Sequence, residues 1–370
     1  RNQIIMNIIN EHINKSIRNY SLTDLQTLFG EWKEPKFRTE QLFSGLANPS
    51  YRAFSDILTL PKALRDRLET EFNYSSLTIG NKQVSEDGTV KYLFNLQDGN
   101  AVESVLIPSE MLVEDGSPKR LTICVSTQVG CALGCKFCAT ASLKPKRNLT
   151  VAEIVDQFMT VQANSEQAIT NLVFMGMGEP MLNYDNVMSA VDFLTSKDSN
   201  LLTPRHITIS TAGIIPGIMR MADENRPIKL AISLHATTNE NRMKLMPISK
   251  KYPLKEIGNA VEYYYRKTRK PITYEYILLE GINDSDLDVQ RLAKICRRVP
   301  SKVNVIPFHA IDFTNPDGFA AELKPTQLHD FQRFIAKLRM NDVTVMIRSS
   351  SGEDIDAACG QLAFSKQTKP

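Results

Sequence analysis

Four of the six cysteines of this 370-residue chain crowd together as Cys124, Cys131, Cys135 and Cys138, while Cys296 and Cys359 stand apart. Such crowding is unlike a disulfide ladder spread along a secreted chain and points to thiols used for metal or catalysis. The run Cys131-Ala-Leu-Gly-Cys135-Lys-Phe-Cys138 puts three thiols on one short loop. Three thiolates can hold three irons of a cubane iron–sulfur cluster and leave the fourth iron open to a small molecule. Gly130 and Gly134 let the chain bend round such bulk. Structural zinc is the competing use; it usually wants four protein ligands in separated pairs, with Cys124 available as the fourth.

Other residues could do chemistry near that loop. Gly176, Gly178 and Glu179 follow an apolar run. Glycines there permit close backbone approach, and carbonyls and a carboxylate can accept hydrogen bonds from an ammonium group. Glu103, inside the apolar run Ala101–Ile107, is either on a wet face or tuned for proton transfer. Taken alone, His235 reads as a structural histidine and Cys359 as a small apolar thiol in a C-terminal turn. Cys296, beside Arg297 and Arg298, reads as structural.

The elements that must position these residues are legible as pattern. Residues 1 to about 75 read as helical, with cap-like Ser21-Leu-Thr-Asp24 and helical periods over Arg38–Leu46 and Lys62–Phe72. Residues 76–115 read as a β-hairpin linker or a small sheet, from Thr89–Asn95 and Ala101–Ile107. From Leu121, strands alternate with helices. The strands are Leu121–Val125, Leu172–Met175, His206–Ser210, Lys229–Leu234, Thr273–Leu279 and Val303–Pro307. The helices are Val151–Gln162, Tyr184–Thr195, Ile214–Asp223, Leu254–Arg269, Asp286–Arg298 and Gln327–Met340, and Thr344–Arg348 forms a last short strand. Six such repeats imply an α/β fold with a parallel sheet, doubly wound or a partial barrel, with chemistry at the C-terminal strand ends. The expected units are 1–75, helical; 76–115, linker; 116–350, barrel; and 351–370, a C-terminal segment carrying Cys359.

Composition excludes several classes. Hydrophobic residues make up 42% and charged residues 23%, which rules out a disordered or fibrous chain. No run approaches the length of a spanning helix, so no membrane partner is expected. The net charge of +3 alone announces no nucleic acid. Three basic clusters argue more strongly for RNA or DNA: Lys144, Lys146 and Arg147; Arg266, Lys267, Arg269 and Lys270; Arg297, Arg298 and Lys302. Each is as readily a solvated face.

With its aromatic residue just before the last cysteine, the Cys131–Cys138 motif resembles the radical S-adenosylmethionine superfamily. Phe174-Met-Gly-Met-Gly-Glu-Pro180, Ser233-Leu-His235, Leu245-Met-Pro247 and Gly352-Glu-Asp-Ile-Asp-Ala-Ala-Cys-Gly-Gln-Leu362 extend the resemblance to the RlmN/Cfr family of RNA methyltransferases. Glu179-Pro180 followed by Leu182-Asn183 looks closer to the RlmN branch, which methylates carbon 2 of adenosine, than to Cfr, which methylates carbon 8. The resemblance implies a partial (β/α)6 barrel of the TIM-like, radical SAM type with a small helical N-terminal domain and a short β linker. It implies a [4Fe-4S] cluster on Cys131, Cys135 and Cys138. Two S-adenosylmethionine molecules would be used per turnover, held by Gly178, Glu179, Ser210, Ser233, Leu234, His235 and His309. His309 departs from the asparagine usual in that loop, and Pro145 and its lysines make the loop after the cluster stiffer and more basic.

The chemistry the resemblance implies answers a real difficulty. Carbon 2 of adenine is electron-poor, so polar attack on a methyl sulfonium is unfavourable. In the family, one S-adenosylmethionine methylates a C-terminal cysteine, matched by Cys359. A second yields a radical that takes hydrogen from that S-methyl group, and the methylene adds to the ring. A second cysteine, matched by Cys124, resolves the adduct and leaves a disulfide, and Glu103 matches an acid–base glutamate. The implied partners are 23S ribosomal RNA, tRNA, and an electron donor such as flavodoxin or ferredoxin. A monomer in the bacterial cytoplasm is expected, with an organelle as the alternative.

Overall fold

The computed structural model describes residues 15–112, 116, 118–348 and 351–363. Parts of the expected helical unit, linker, barrel and C-terminal segment therefore lie outside the described residues. Among the described residues three α-helices come first: α1 (Leu22–Glu31), α2 (Phe37–Leu46) and α3 (Lys62–Glu71). The α1 start follows from Ser21, whose hydroxyl accepts from the Asp24 amide while the Asp24 carboxylate accepts from the Ser21 amide. The helices bury Leu25, Phe29, Leu42, Leu64 and Leu68 against one another and the main body.

The linker is a three-stranded meander rather than a hairpin: β1 (Leu77–Val84), β2 (Val90–Leu96) and β3 (Ala101–Pro108). β1 carries no strand pattern in the sequence because seven of its eight positions are exposed or half-exposed, with Gly80-Asn81-Lys82-Gln83 at its centre and a register shift between Ile79 and Asn81. The meander is also continuous with the barrel. β3 runs antiparallel to β4 (Leu121–Cys124), with Val105 opposite Cys124.

The remaining strands are β5 (Gln128–Val129), β6 (Arg147–Asn148), β7 (Asn171–Phe174), β8 (Ile207–Thr211), β9 (Lys229–Ser233), β10 (Ile272–Leu278), β11 (Ser301–Pro307) and β12 (Val345–Ile347). Helices α4 (Val151–Ala163), α5 (Tyr184–Thr195), α6 (Ile215–Asp223), α7 (Asn239–Leu245), α8 (Leu254–Thr268), α9 (Asp286–Cys296) and α10 (Leu328–Met340) lie between them. One ten-stranded sheet runs β1-β2-β3-β4-β7-β8-β9-β10-β11-β12. Within this sheet every pairing from β4 to β12 is parallel, while β5 and β6 form a separate antiparallel pair. The six strands β4, β7, β8, β9, β10 and β11 with their crossover helices are the partial barrel, and β12 extends it. Their β-branched and aromatic residues (Ile123, Phe174, Ile209, Ile232, Tyr276, Val305) are almost wholly buried. Parallel order sends every strand's C-terminal end to the same side, and Cys131–Cys138, Phe174–Pro180 and Ser233–His235 follow the ends of β4, β7 and β9. Among the described residues no helix is long and apolar enough to cross a membrane.

Candidate active site

The three-cysteine loop is closed at its base. β5 and β6 pair antiparallel, Gln128 with Asn148 and Val129 with Arg147, so residues 130–146 form one excursion. Gly130 is obligatory there: its φ is 74°, and a Cβ would lie 2.5 Å from the Lys144 carbonyl oxygen. The loop is held to the end of α7 by the Lys136 amide, which donates to the Leu245 carbonyl at 2.9 Å. Arg147 is spent on architecture. It forks onto Glu153 with two bonds of 2.7 Å and reaches Asp98 at 2.7 Å. Arg298 is likewise paired with Glu262. These two members of the expected basic clusters are thus structural, whereas Lys144 is exposed.

Cys131, Cys135 and Cys138 line a cavity of about 840 Å³ at the strand ends. Gly178, Glu179, Ser210, Ser233, His235 and Cys359 line the same cavity. Gly178 must be glycine, since its φ is 99° and a Cβ would meet the Gln128 side chain at 2.6 Å. The buried Glu179 carboxylate accepts from the Met181 amide at 3.0 Å and the Ala212 amide at 2.8 Å. Burial nevertheless pushes its carboxyl up to about 6. The Ser210 and Ser233 hydroxyls stand 3.2 Å apart. His235 has φ 53° and accepts at Nδ1 from the Ile277 amide at 3.1 Å. Its neutral ring therefore carries its proton on Nε2. Burial, helped by Arg242, lowers His235 to about 3, so it is neutral near pH 7.

The residues present fit a cubane cluster better than a single ion. Among the described residues no three His, Cys, Asp or Glu side chains converge as ligands of one metal ion. A zinc site using Cys124 is therefore not assembled. A cubane asks something different of its ligands, one thiolate for each of three irons, and three thiols spread round one cavity answer that need. The glycine-opened wall, paired serines and buried carboxylate beside them suit a polar ligand with an amino-acid end.

Cys359 lines this cavity beside Arg348, and Cys124, outside the lining, lies near enough to feel the charge of both. Cys124 ends β4 and is buried; Cys359 is exposed to the cavity. Each feels the other's neighbour, Arg348, whose charge opposes the rise of both thiols. Burial dominates for both and pushes Cys124 up to about 12. The Cys359 loop is held from two sides. The Ala139 amide donates to the Gly360 carbonyl at 2.7 Å and the Thr140 hydroxyl to the Leu362 carbonyl at 2.6 Å. From the meander, the Asp87 carboxylate accepts from the Gly352 amide at 2.9 Å.

Glu103 is not on a wet face. It is 3% exposed, with Lys91 Nζ 3.8 Å from Oε1 and no hydrogen-bond partner on Oε2. Burial raises its carboxyl to about 7, against the pull of Lys91. It lies outside the cavity lining, beneath the C-terminal segment, where Lys91 also donates to the Asp356 carbonyl. Leu234 contributes backbone: its carbonyl accepts from Arg242 Nε at 3.1 Å. His309 also lies outside the lining, with Nδ1 3.2 Å from the Glu353 carboxylate. Cys296 sits at the end of α9, away from the cavity.

Three residues escaped the sequence reading. Arg242 is fully buried, and its guanidinium gathers the carbonyls of Ala212 at 2.7 Å, Ser233 at 3.1 Å and Leu234 at 3.1 Å. It thereby fixes the β8 and β9 ends behind the two serines. Arg348 and Glu275 line the cavity, 3.8 Å apart. No pattern marked Arg242 or Arg348. Glu275 carried the same signal as Glu103, a carboxylate in an apolar strand.

Known proteins align with this arrangement. Residues 125–293 match the radical SAM superfamily. A probable dual-specificity RNA methyltransferase RlmN of Flavobacterium johnsoniae is 43% identical, over 94% of this chain and 97% of that protein. A dual-specificity RNA methyltransferase RlmN of Geotalea uraniireducens is 42% identical, over 94% and 96%. The crystal structure of a radical SAM methyltransferase from Sphaerobacter thermophilus superposes with a TM-score of 0.85 at 35% identity, covering 94% of this chain and 98% of that one. Identity of that order, sustained over more than nine-tenths of the chain, means that the chain belongs to the RlmN family of radical S-adenosylmethionine RNA methyltransferases.

Proposed function

We propose that this protein methylates carbon 2 of an adenosine in 23S ribosomal RNA, and of an adenosine in tRNA, through a methyl group carried on Cys359. The observation that carries the reading is Cys359 and Arg348 lining one cavity with the three-cysteine loop, with Cys124 near enough to feel both. With a cluster and S-adenosylmethionine bound, the pair would supply a methyl cation equivalent in one step and a hydrogen-abstracting radical in the other. The chain's own residues do the rest. Cys131, Cys135 and Cys138 hold the cluster. Gly178, Glu179, Ser210, Ser233 and His235 hold S-adenosylmethionine, with the Leu234 backbone fixed behind them and His309 beyond the lining. Cys359 takes the methyl group as a thiolate, and Arg348 favours that thiolate. The Cys124 thiolate attacks the Cys359 sulfur; the S–S bond forms as the S–CH2 bond breaks, and its electron pair leaves with the base, whose former methylene carbon takes a proton to become the methyl group. Glu103, poised near neutrality, moves a proton in that resolution.

Electrons come from a small carrier such as flavodoxin or ferredoxin, and the protein works as a cytoplasmic monomer. RNA is gripped through phosphate contacts, and the target adenosine is flipped out to reach the strand ends. The test is nucleoside mass spectrometry on a 23S RNA fragment incubated anaerobically with reconstituted protein, reductant and S-adenosylmethionine. The expected product is 2-methyladenosine; 8-methyladenosine would move the protein to the Cfr side. Cys359→Ala should give no methylated base with the cluster intact. Cys124→Ala should leave RNA bound covalently through Cys359, and finding only free, unmodified RNA would rule out its resolving role.

A further inference from the structure

A polar row crosses the barrel where layers of Val, Ile and Leu usually fill such interiors. In the parallel register Glu275 stands opposite Ser233 on one side and Asn304 on the other. Ser233 in turn meets Ser210, hydroxyl to hydroxyl. Glu275 is 3% exposed. Its Oε1 accepts from Asn304 Nδ2 at 2.8 Å, but its Oε2 has no hydrogen-bond partner. The Arg348 guanidinium is 3.8 Å away, too far for a hydrogen bond. A buried carboxylate oxygen left unanswered costs stability, and a Gln or Leu would fill this place more cheaply. Among the described residues only one other carboxylate oxygen is orphaned in this way, that of Glu103, which does not line the cavity. Glu179 does line it, yet both its oxygens already accept from backbone amides.

We propose that Glu275 is a binding residue for S-adenosylmethionine, its free Oε2 accepting an O–H or N–H from the adenosine half of that molecule. The proposal rests on the reading of this cavity as the S-adenosylmethionine site. The adenosine half is the suitable end. The carboxylate of the methionine half would be repelled by Glu275, and its ammonium is answered at the Gly178–Glu179 end. Adenosine offers neutral donors in its ribose hydroxyls and exocyclic amine, and carboxylates accept from such hydroxyls in other nucleotide sites. Arg348 keeps a cation beside the carboxylate before the donor arrives.

The experiment uses the full chain with its cluster reconstituted anaerobically, as wild type, Glu275→Gln and Glu275→Ala. Equilibrium dialysis gives affinities for S-adenosylmethionine and for S-adenosylhomocysteine, which has the same adenosine but no sulfonium. Iron content and binding of a 23S RNA fragment are measured alongside. Glu275→Gln should weaken both small ligands about tenfold, the worth of one charge-assisted hydrogen bond. Iron and RNA binding should not change. Gln preserves an acceptor for Asn304, so it answers for the proposal should the Ala variant misfold. Unchanged affinity in the variants overturns the proposal. Loss for S-adenosylmethionine alone overturns it in favour of contact with the sulfonium, and loss of RNA affinity alone in favour of the target adenosine. A wild type that binds no S-adenosylmethionine overturns the reading of the cavity itself, a result distinct from each of these.

Discussion

Glu103 shows most plainly how burial sets a residue's chemistry. Its carboxyl ionises near 7 in the fold against 4.5 when free, because burial outweighs Lys91. A carboxyl raised in this way favours folding while protonated. That contribution is complete below about pH 4.5 and is lost as pH rises through about 7. The stability of wild type relative to Glu103→Gln should therefore fall by about 3 kcal/mol between pH 4.5 and 8, measured by denaturant unfolding at each pH. If Glu103 also moves the proton in catalysis, the wild-type pH–rate profile has a limb near 7 that the Gln variant lacks. A variant with the same limb would remove Glu103 from that role. Sequence marked this residue only as ambiguous, since a strand carboxylate can face either way. The cysteine loop and Gly176–Glu179 were legible because their chemistry is contiguous. Arg242 was not, because its carbonyl partner Ala212 lies 30 positions away and carbonyls have no sequence signature.

At the scale of elements, the helical unit is fastened to the barrel by one buried charge. Arg18 joins Asp156 of α4 at 2.8 Å, with the two side chains 3% and 2% exposed. Arg18 also donates to the Leu46 and Tyr74 carbonyls, and the other Asp156 oxygen accepts from the Ser76 amide and hydroxyl. Removing one partner of such a network strands the other in a dry interior. Asp156→Ala should cost about 3–5 kcal/mol in denaturant unfolding. It should also loosen the helical unit before the barrel, visible as non-coincident transitions by Trp32 fluorescence and far-ultraviolet circular dichroism. Coincident transitions with a loss under 1 kcal/mol, roughly a surface-pair value, would show the contact to be incidental. Long periodic elements were legible, and α4, α5 and α10 stand within a residue of their expected bounds. The misses were short or polar. α7 spans seven residues, and β1 is stabilised by its pairing with β2 rather than by an apolar face of its own.

Across the whole molecule, the Cys359 segment ties the meander to the cluster loop, which are also joined at the loop base by Arg147 and Asp98. It lies against the meander through Ser85, Asp87 and Lys91, and against the cluster loop through the bonds at Ala139 and Thr140. Those two cluster-loop bonds begin directly after Cys138, the last cysteine of the motif. Anything that loosens Cys138 should therefore be felt at Cys359, although the two are far apart in sequence. Removing the cluster would leave three thiols without partners and the 130–146 loop held by the β5–β6 pair at its base and by single bonds at Lys136, Ala139 and Thr140. Local opening of that kind is read by amide hydrogen exchange. Cluster removal should speed exchange in 136–141 and in 357–363 together, with the β8 to β11 strands unchanged because their ladders and core do not depend on the loop. Cys138→Ala should reproduce the pattern without chelation. Faster exchange confined to 136–141 would mean that the meander alone holds Cys359 in place, and that the cluster loop and Cys359 are positioned independently.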